Sequence, residues 1–230
     1  MKKTKKSTAS KKAEIAQLID HTNVSPVATT AEIEKLCQEA QKYNFYSVCL
    51  TPKRVALAKK FLKKTSIKIV CVIGFPHGTQ TRQAKVLETQ MAISNGADEI
   101  DLAIDLGALK DKKYQLVFQE MKAVINAAKT KPVKSILEIG YLTEKELRKA
   151  CQMAEKAGIQ FIKTSTGYGP RNVKESDVRL IKQIVKEKIK IKASGGIRTY
   201  TKACSMIKAG ANRIGSRAGV EIVKTANKIK

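Results

Sequence analysis

The chain has no tryptophan, two histidines and only 5% aromatic residues among its 230. So few rings supply poor material for a base-stacking surface, which argues against a single-stranded nucleic-acid binder. Its five cysteines stand at 37, 49, 71, 151 and 204. The number is odd and no two are close, so a disulfide framework is not expected. His21 and His77 are too few to complete a zinc cluster, so none is expected. No apolar run approaches the roughly 18 residues of a membrane-spanning helix. The basic start, MKKTKKSTASKK, is not followed by the apolar core of a secretory signal. Acidic residues are scarce as well: 20 against 45 basic ones, a formal net charge of +25. Such a charge attracts polyanions non-specifically but says nothing about the fold. Together these absences point to a reduced, soluble, cytoplasmic protein without a membrane partner.

Hydrophobic residues make up 43% of the chain, enough for a sizeable core. Residues 1–12 hold six lysines and almost no large apolar side chains. They read as a flexible basic tail ahead of a single domain over 13–230. Within that domain, short Ile- and Val-rich runs fall at 18–21, 46–50, 67–73, 98–102, 135–139, 159–163, 189–193 and 212–214. They lack strict polar alternation, as strands buried on both faces of a parallel sheet do. Helical patterns alternate with them at 31–43, 52–63, 79–95, 111–129, 143–158, 174–187, 199–209 and 217–228. Pro52 suits a first helical turn. Thr143 and Glu146 form a capping-box pattern. Eight strands, each followed by a helix, predict an α/β fold of the (β/α)8 TIM-barrel kind, with an open doubly wound sheet as the structural alternative.

In a barrel, chemistry collects at the C-terminal ends of the strands. Lys163 ends the run before Thr164-Ser165-Thr166-Gly167, and Lys192 ends the next run, before Ala193-Ser194-Gly195-Gly196. Asp101 sits inside a third apolar run. Two inward lysines on adjacent strands would each disfavour charging of the other. The neutral amine so produced can attack a carbonyl and form a Schiff base, with Asp101 relaying protons. Snorkelling or salt-bridged lysines are the plainer alternative in so lysine-rich a chain. Gly167, Gly195, Gly196 and Gly215 each follow a strand and precede a helix, where free backbone N–H groups bind phosphate. They read equally as ordinary turn glycines taken singly. Their clustering on the last three strands favours a phosphorylated small substrate.

These segments, with Leu18-Ile19-Asp20-His21-Thr22, Ser47-Val48-Cys49, Val72-Ile73-Gly74-Phe75-Pro76 and Arg213-Ile214-Gly215, resemble the 2-deoxyribose-5-phosphate aldolases. The resemblance runs in order from about residue 15 to 223. It implies a class I aldolase without cofactor or metal, acting on small phosphosugar and aldehyde substrates and commonly assembled as a homodimer or homotetramer. It further implies Lys163 as the Schiff-base lysine, Lys192 as the second lysine and Asp101 as the proton-relay residue. Phosphate-loop roles fall on Gly167, Gly195, Gly196 and Gly215, and Cys49 is placed near the substrate pocket. Cys49 reads equally as a small buried filler. Three positions depart from the usual pattern. Arg217 stands where a serine is usual, with Ser216 beside it, Asp105 replaces a frequent asparagine, and Ile139 belongs to a less polar pair after Glu138. A different phosphosugar lyase or isomerase on the same barrel is the alternative activity. A nucleic-acid role rests on the charge alone.

Overall fold

The structure, a computed structural model, describes residues 8–226, with side chains from residue 12. Eight parallel strands close into a barrel in sequence order. They are β1 (Ile19–Asn23), β2 (Ser47–Leu50), β3 (Lys68–Ile73), β4 (Glu99–Ala103), β5 (Val133–Ile136), β6 (Phe161–Lys163), β7 (Lys190–Ser194) and β8 (Arg213–Ser216). Pairing of Ile19 with Ile214 and of His21 with Ser216 joins β1 to β8 and completes the ring.

The helices are α1 (Thr8–Ala16), α2 (Thr30–Tyr43), α3 (Val55–Phe61), α4 (Arg82–Ser94), α5 (Leu106–Lys110), α6 (Tyr114–Ala128), α7 (Glu144–Ala157), α8 (Glu175–Val185), α9 (Tyr200–Lys208) and α10 (Gly219–Thr225). The capping box at Thr143 and Glu146 is present at the start of α7, and Thr29 with Glu32 forms another at α2. Each reciprocal pair satisfies N–H groups that the first helical turn leaves free.

Two helices were not expected from the sequence. α1 begins at Thr8, inside the segment read as a tail, and leads directly into β1. Ile15 and Ala16 are buried, and Tyr46 N–H bonds to Ala16 C=O, so the end of α1 belongs to the domain. The tail reading for residues 1–7 lies outside the described residues. α5 occupies five residues after β4, capped by Asp105, whose Oδ1 accepts the Ala108 N–H at 2.9 Å. The fifth strand also ends early. The apolar run at 135–139 continues past Ile136, but Glu138 takes a left-handed backbone (φ 44°) and turns the chain into a short 3-10 turn, Ile139–Tyr141.

The period of two sends alternate residues to opposite faces of the sheet. Val48, Ile69, Ile100, Leu102, Val133, Ile162, Ile191 and Ile214 join the main apolar core, which also takes in the buried faces of the helices. A smaller apolar group of Val24, Cys49, Val70 and Val72 packs separately, with Phe75 against it. The barrel interior also holds buried charged side chains, among them Asp20, Asp101, Lys134, Lys163 and Lys192.

Candidate active site

Strand register accounts for the central arrangement. Lys163 is the Cα partner of Lys192, and Asp101 is the partner of Lys134. The two lysines expected at neighbouring strand ends therefore stand side by side. Asp101 lies between them: its Oδ2 accepts from Lys163 Nζ at 2.8 Å and from Lys192 Nζ at 2.7 Å. Its Oδ1 accepts from Lys134 Nζ at 2.9 Å. Lys192 also meets Asp20 Oδ2 at 2.5 Å. Asp20, Asp101, Lys134 and Lys192 are completely buried, and Lys163 is nearly so.

This geometry revises the expected charge state. Burial alone would lower Lys192, but Asp101 and Asp20 outweigh it and hold the ammonium well above the ordinary lysine value. Burial alone would raise Asp101, but Lys134, Lys163 and Lys192 keep it ionised, well below the usual carboxylate range. Simple repulsion between two lysines is thus not the governing effect at Lys192. Between two carboxylates Lys192 stays a cation, and among three ammonium groups Asp101 stays an anion.

Lys163 opens onto a cavity of about 350 Å³ at the C-terminal ends of the strands. That is within the range of a small-molecule site. Gly167, Gly195, Gly196, Gly215, Ser216 and Arg217 all line it, so the residues expected around a phosphate share one cavity. Gly215, expected in a turn after the eighth strand, instead lies inside β8, where it pairs with Asp20 and Ser194. Gly195 (φ 104°) and Gly196 (φ 76°) adopt backbone that side-chain-bearing residues rarely take. The loops are pinned from below. Thr164 Oγ1 donates to Ser194 C=O at 2.8 Å and accepts the Ser194 N–H at 2.9 Å. Ser216 Oγ donates to Ile197 C=O at 2.6 Å and accepts the Ala218 N–H at 2.9 Å, so its hydroxyl ties the loops after β7 and β8 together.

The three departures separate cleanly. Asp105 caps a helix and Ile139 is buried in the core; neither lines the cavity. Arg217 does line it, and its guanidinium donates to Tyr168 Oη at 2.7 Å. Cys49 falls beneath the cavity rather than on its wall: its Sγ is 3.9 Å from Asp101 Oδ2, and burial, the largest influence, raises its thiol above the usual value. Sequence reasoning missed Asn172 and Arg198 as cavity residues, although Arg198 closes the Gly195-Gly196-Ile197-Arg198 segment. It also missed Lys134, Asp20, Glu99 and Arg213 in the interior, and Glu138, whose Oε2 accepts the Thr166 N–H at 2.9 Å and holds the Gly167 loop. Among the described residues no group of three or more His, Cys, Asp or Glu is placed to hold a metal ion, and no helix is long and apolar enough to cross a membrane.

Comparison with known proteins agrees with this geometry. Residues 14–225 match the model of the family described as DeoC/LacD family aldolase. A deoxyribose-phosphate aldolase of Thermococcus gammatolerans is 49% identical over 217 residues, covering 93% of this chain and 96% of its own. One from Clostridium tetani is 49% identical over 212 residues, covering 92% and 98%. Among solved structures, a putative deoxyribose-phosphate aldolase from Coccidioides immitis superposes with a TM-score of 0.92 at 40% identity, covering 94% of this chain and 87% of its own. A deoxyribose phosphate aldolase from Aeropyrum pernix, described as a unique tetrameric structure, gives 0.88 at 30%, covering 94% and 92%. With a shared barrel and a family match spanning nearly the whole length, this chain belongs to the DeoC/LacD family of aldolases.

Proposed function

We propose that the chain reversibly cleaves 2-deoxy-D-ribose 5-phosphate to D-glyceraldehyde 3-phosphate and acetaldehyde, through a Schiff base on Lys163. The observation that carries this reading is Lys163 itself. It is a nearly buried lysine at the floor of a cavity, hydrogen-bonded to a carboxylate that a second, charged lysine shares. The relatives named deoxyribose-phosphate aldolase supply the substrate.

The sequence of steps follows from these positions. The Lys163 amine, in its free-base form, adds to the C1 aldehyde of the open-chain sugar, and loss of water gives an iminium. The C3 hydroxyl then loses its proton towards Asp101, the C2–C3 bond breaks, and its electron pair moves into the iminium to form an enamine. Glyceraldehyde 3-phosphate leaves. The proton taken up at Asp101 is returned to C2 through the pair it forms with Lys192, whose Nζ lies 2.7 Å from Asp101 Oδ2. Hydrolysis of the resulting iminium releases acetaldehyde and frees Lys163. At the other end, the N–H groups around Gly167, Gly195, Gly196 and Gly215 receive the phosphate, with Arg198 and Arg217 adding charge-assisted contacts.

The tetramer described for the Aeropyrum pernix relative supports self-association of this chain as a homodimer or homotetramer, which light scattering on a sizing column would reveal. Five free cysteines, four of them buried, suit the reducing cytoplasm.

Borohydride reduction in the presence of 2-deoxyribose 5-phosphate, followed by peptide mass spectrometry, tests the central step. A reduced adduct on Lys163 that is lost in Lys163→Ala is the expected result. An adduct on Lys192 alone would exchange the two lysines' roles. Absence of both adduct and acetaldehyde would assign the barrel to another phosphosugar reaction.

A further inference from the structure

The barrel interior carries more charge than a Schiff base requires, and its ion pairs close on themselves. Arg213 Nη1 meets Asp20 Oδ1 at 2.8 Å. Asp20 Oδ2 meets Lys192 Nζ at 2.5 Å, and Lys192 Nζ meets Asp101 Oδ2 at 2.7 Å. Asp101 Oδ1 meets Lys134 Nζ at 2.9 Å, and Lys134 Nζ meets Glu99 Oε2 at 2.6 Å. Glu99 Oε2 returns to Arg213 Nη1 at 3.7 Å. The sign alternates at every step, so three cations and three carboxylates form a ring with no formal net charge. Tyr46 braces the closing step: its hydroxyl donates to Glu99 at 2.8 Å, and its ring centroid lies 3.4 Å from the Arg213 guanidinium carbon.

Lys163 joins this ring at one point, Asp101 Oδ2. With it the assembly counts four cations against three carboxylates. Protonated, it gives the buried assembly a formal charge of +1; as the free base, it leaves zero. A net charge deep in a protein is costly, whereas paired charges are tolerated. We propose that the net charge of this ring sets the proton occupancy of Lys163, with Lys134 and Glu99 acting as positioning residues through Asp101. The inference rests on the Schiff-base reading of Lys163.

The groups around the Lys163 amine come from several strands. Asp101 on β4, Lys134 on β5, Lys192 on β7, Cys49 on β2 and Asp20 on β1 share the interior, and the Phe75 ring centroid lies 5.7 Å away. Glu138, after β5, holds the loop that follows β6. Charge states within the ring agree with the count. Burial opposes charging of Asp20, Asp101, Lys134, Lys192 and Arg213, yet opposite neighbours outweigh it at all five.

The test compares full-length wild type, Lys134→Met, Glu99→Gln and the double variant. Acetaldehyde is the probe, because it carries no titrating phosphate. The initial rate of the borohydride-trapped Lys163 adduct is followed against pH by mass spectrometry, with circular dichroism confirming the fold. Lys134→Met makes the ring negative, so the Lys163 proton becomes its balancing charge. The acid limb of the profile is expected to move up by about one to two pH units. Glu99→Gln makes the ring positive and moves the limb down. The double variant restores neutrality and returns it towards wild type. Ordinary structural damage would lower the rate in both single variants without moving the limb in opposite directions. If Lys134→Met alone does not fold, the Glu99→Gln direction decides. Limbs that coincide, or that shift the same way, overturn the inference while leaving the Schiff base intact. Absence of a wild-type adduct on Lys163 overturns the Schiff-base reading and this inference with it.

Discussion

Gly215 lies against the side chain of Lys192: a β-carbon built at Gly215 would stand 3.0 Å from Lys192 Cε. The same carbon would stand 3.0 Å from Ser194 Cβ. Glycine at this point of β8 therefore serves space rather than turn geometry. Lys192 cannot easily step aside, because Asp20 and Asp101 hold its amine from two directions. Gly215→Ala is expected to displace that amine by a few tenths of an ångström. Overpacking of this kind costs about 1–3 kcal/mol of stability. Misplacement at a reacting centre costs about ten- to a hundredfold in rate. Urea unfolding and steady-state kinetics on one preparation would read both. Unchanged kcat would show that Lys192 tolerates movement and is not held for catalysis.

Arg217 gives the cavity a guanidinium where the resembled family usually has a serine. It lines the cavity while bonded to Tyr168, whose hydroxyl in turn donates to Val24 C=O at 3.3 Å. Arg217→Ser is expected to raise KM for 2-deoxyribose 5-phosphate about tenfold, the scale of one charge-assisted contact. Turnover of unphosphorylated 2-deoxyribose is expected to stay the same, since that substrate offers nothing for Arg217 to hold. An equal loss on both substrates would place Arg217 in loop structure instead of phosphate recognition.

The cysteines should differ sharply in reactivity. Cys37, Cys49, Cys71 and Cys151 are buried, and Cys204 alone is partly exposed. Burial pushes the Cys37 and Cys151 thiols up to about 12. Thiolate, not thiol, is the nucleophile towards alkylating reagents. Iodoacetamide near pH 8 should therefore label native protein at Cys204 first, and all five cysteines only after denaturation. Rapid native labelling at Cys49 would mean that the barrel interior opens to solvent.

Much of the barrel was legible because Ile- or Val-rich runs mark several strands, Lys68–Ile73 most plainly, and because parallel neighbours align their ends. Lys163 and Lys192 were visible for that reason, as charges at the same place in consecutive runs. The rest of the ring was not. Asp20 and Arg213 meet across 193 residues of sequence, and nothing local to either announces the other. Lys134 reads as one more surface lysine in a lysine-rich chain. The available signal was a charge at alternate positions inside an apolar run, as in Glu99-Ile100-Asp101, which the period of two sends to a single face. The helix α5 escaped because five residues are too few to show a helical period. The fifth strand was misplaced because apolar content continues through Leu137 and Ile139, while the chain direction changes at Glu138. Composition does not report a backbone torsion.

Acid should weaken the fold through its buried carboxylates. Burial alone would raise Asp20 and Asp101, but the surrounding cations hold both below their ordinary value of 3.8. A carboxylate lowered on folding contributes stability that is fully present above its unfolded value and is lost as the pH falls towards its folded one. The contribution of these two groups is thus complete near neutrality and declines below about pH 4. The urea midpoint should fall steeply in that range. Asp20→Asn removes one lowered carboxylate, so its dependence should be shallower there even though the variant is less stable at pH 7, where Lys192 and Arg213 have lost a shared partner. Parallel pH profiles for wild type and Asp20→Asn would mean that Asp20 does not gain its charge stabilisation from folding, and that acid sensitivity originates elsewhere.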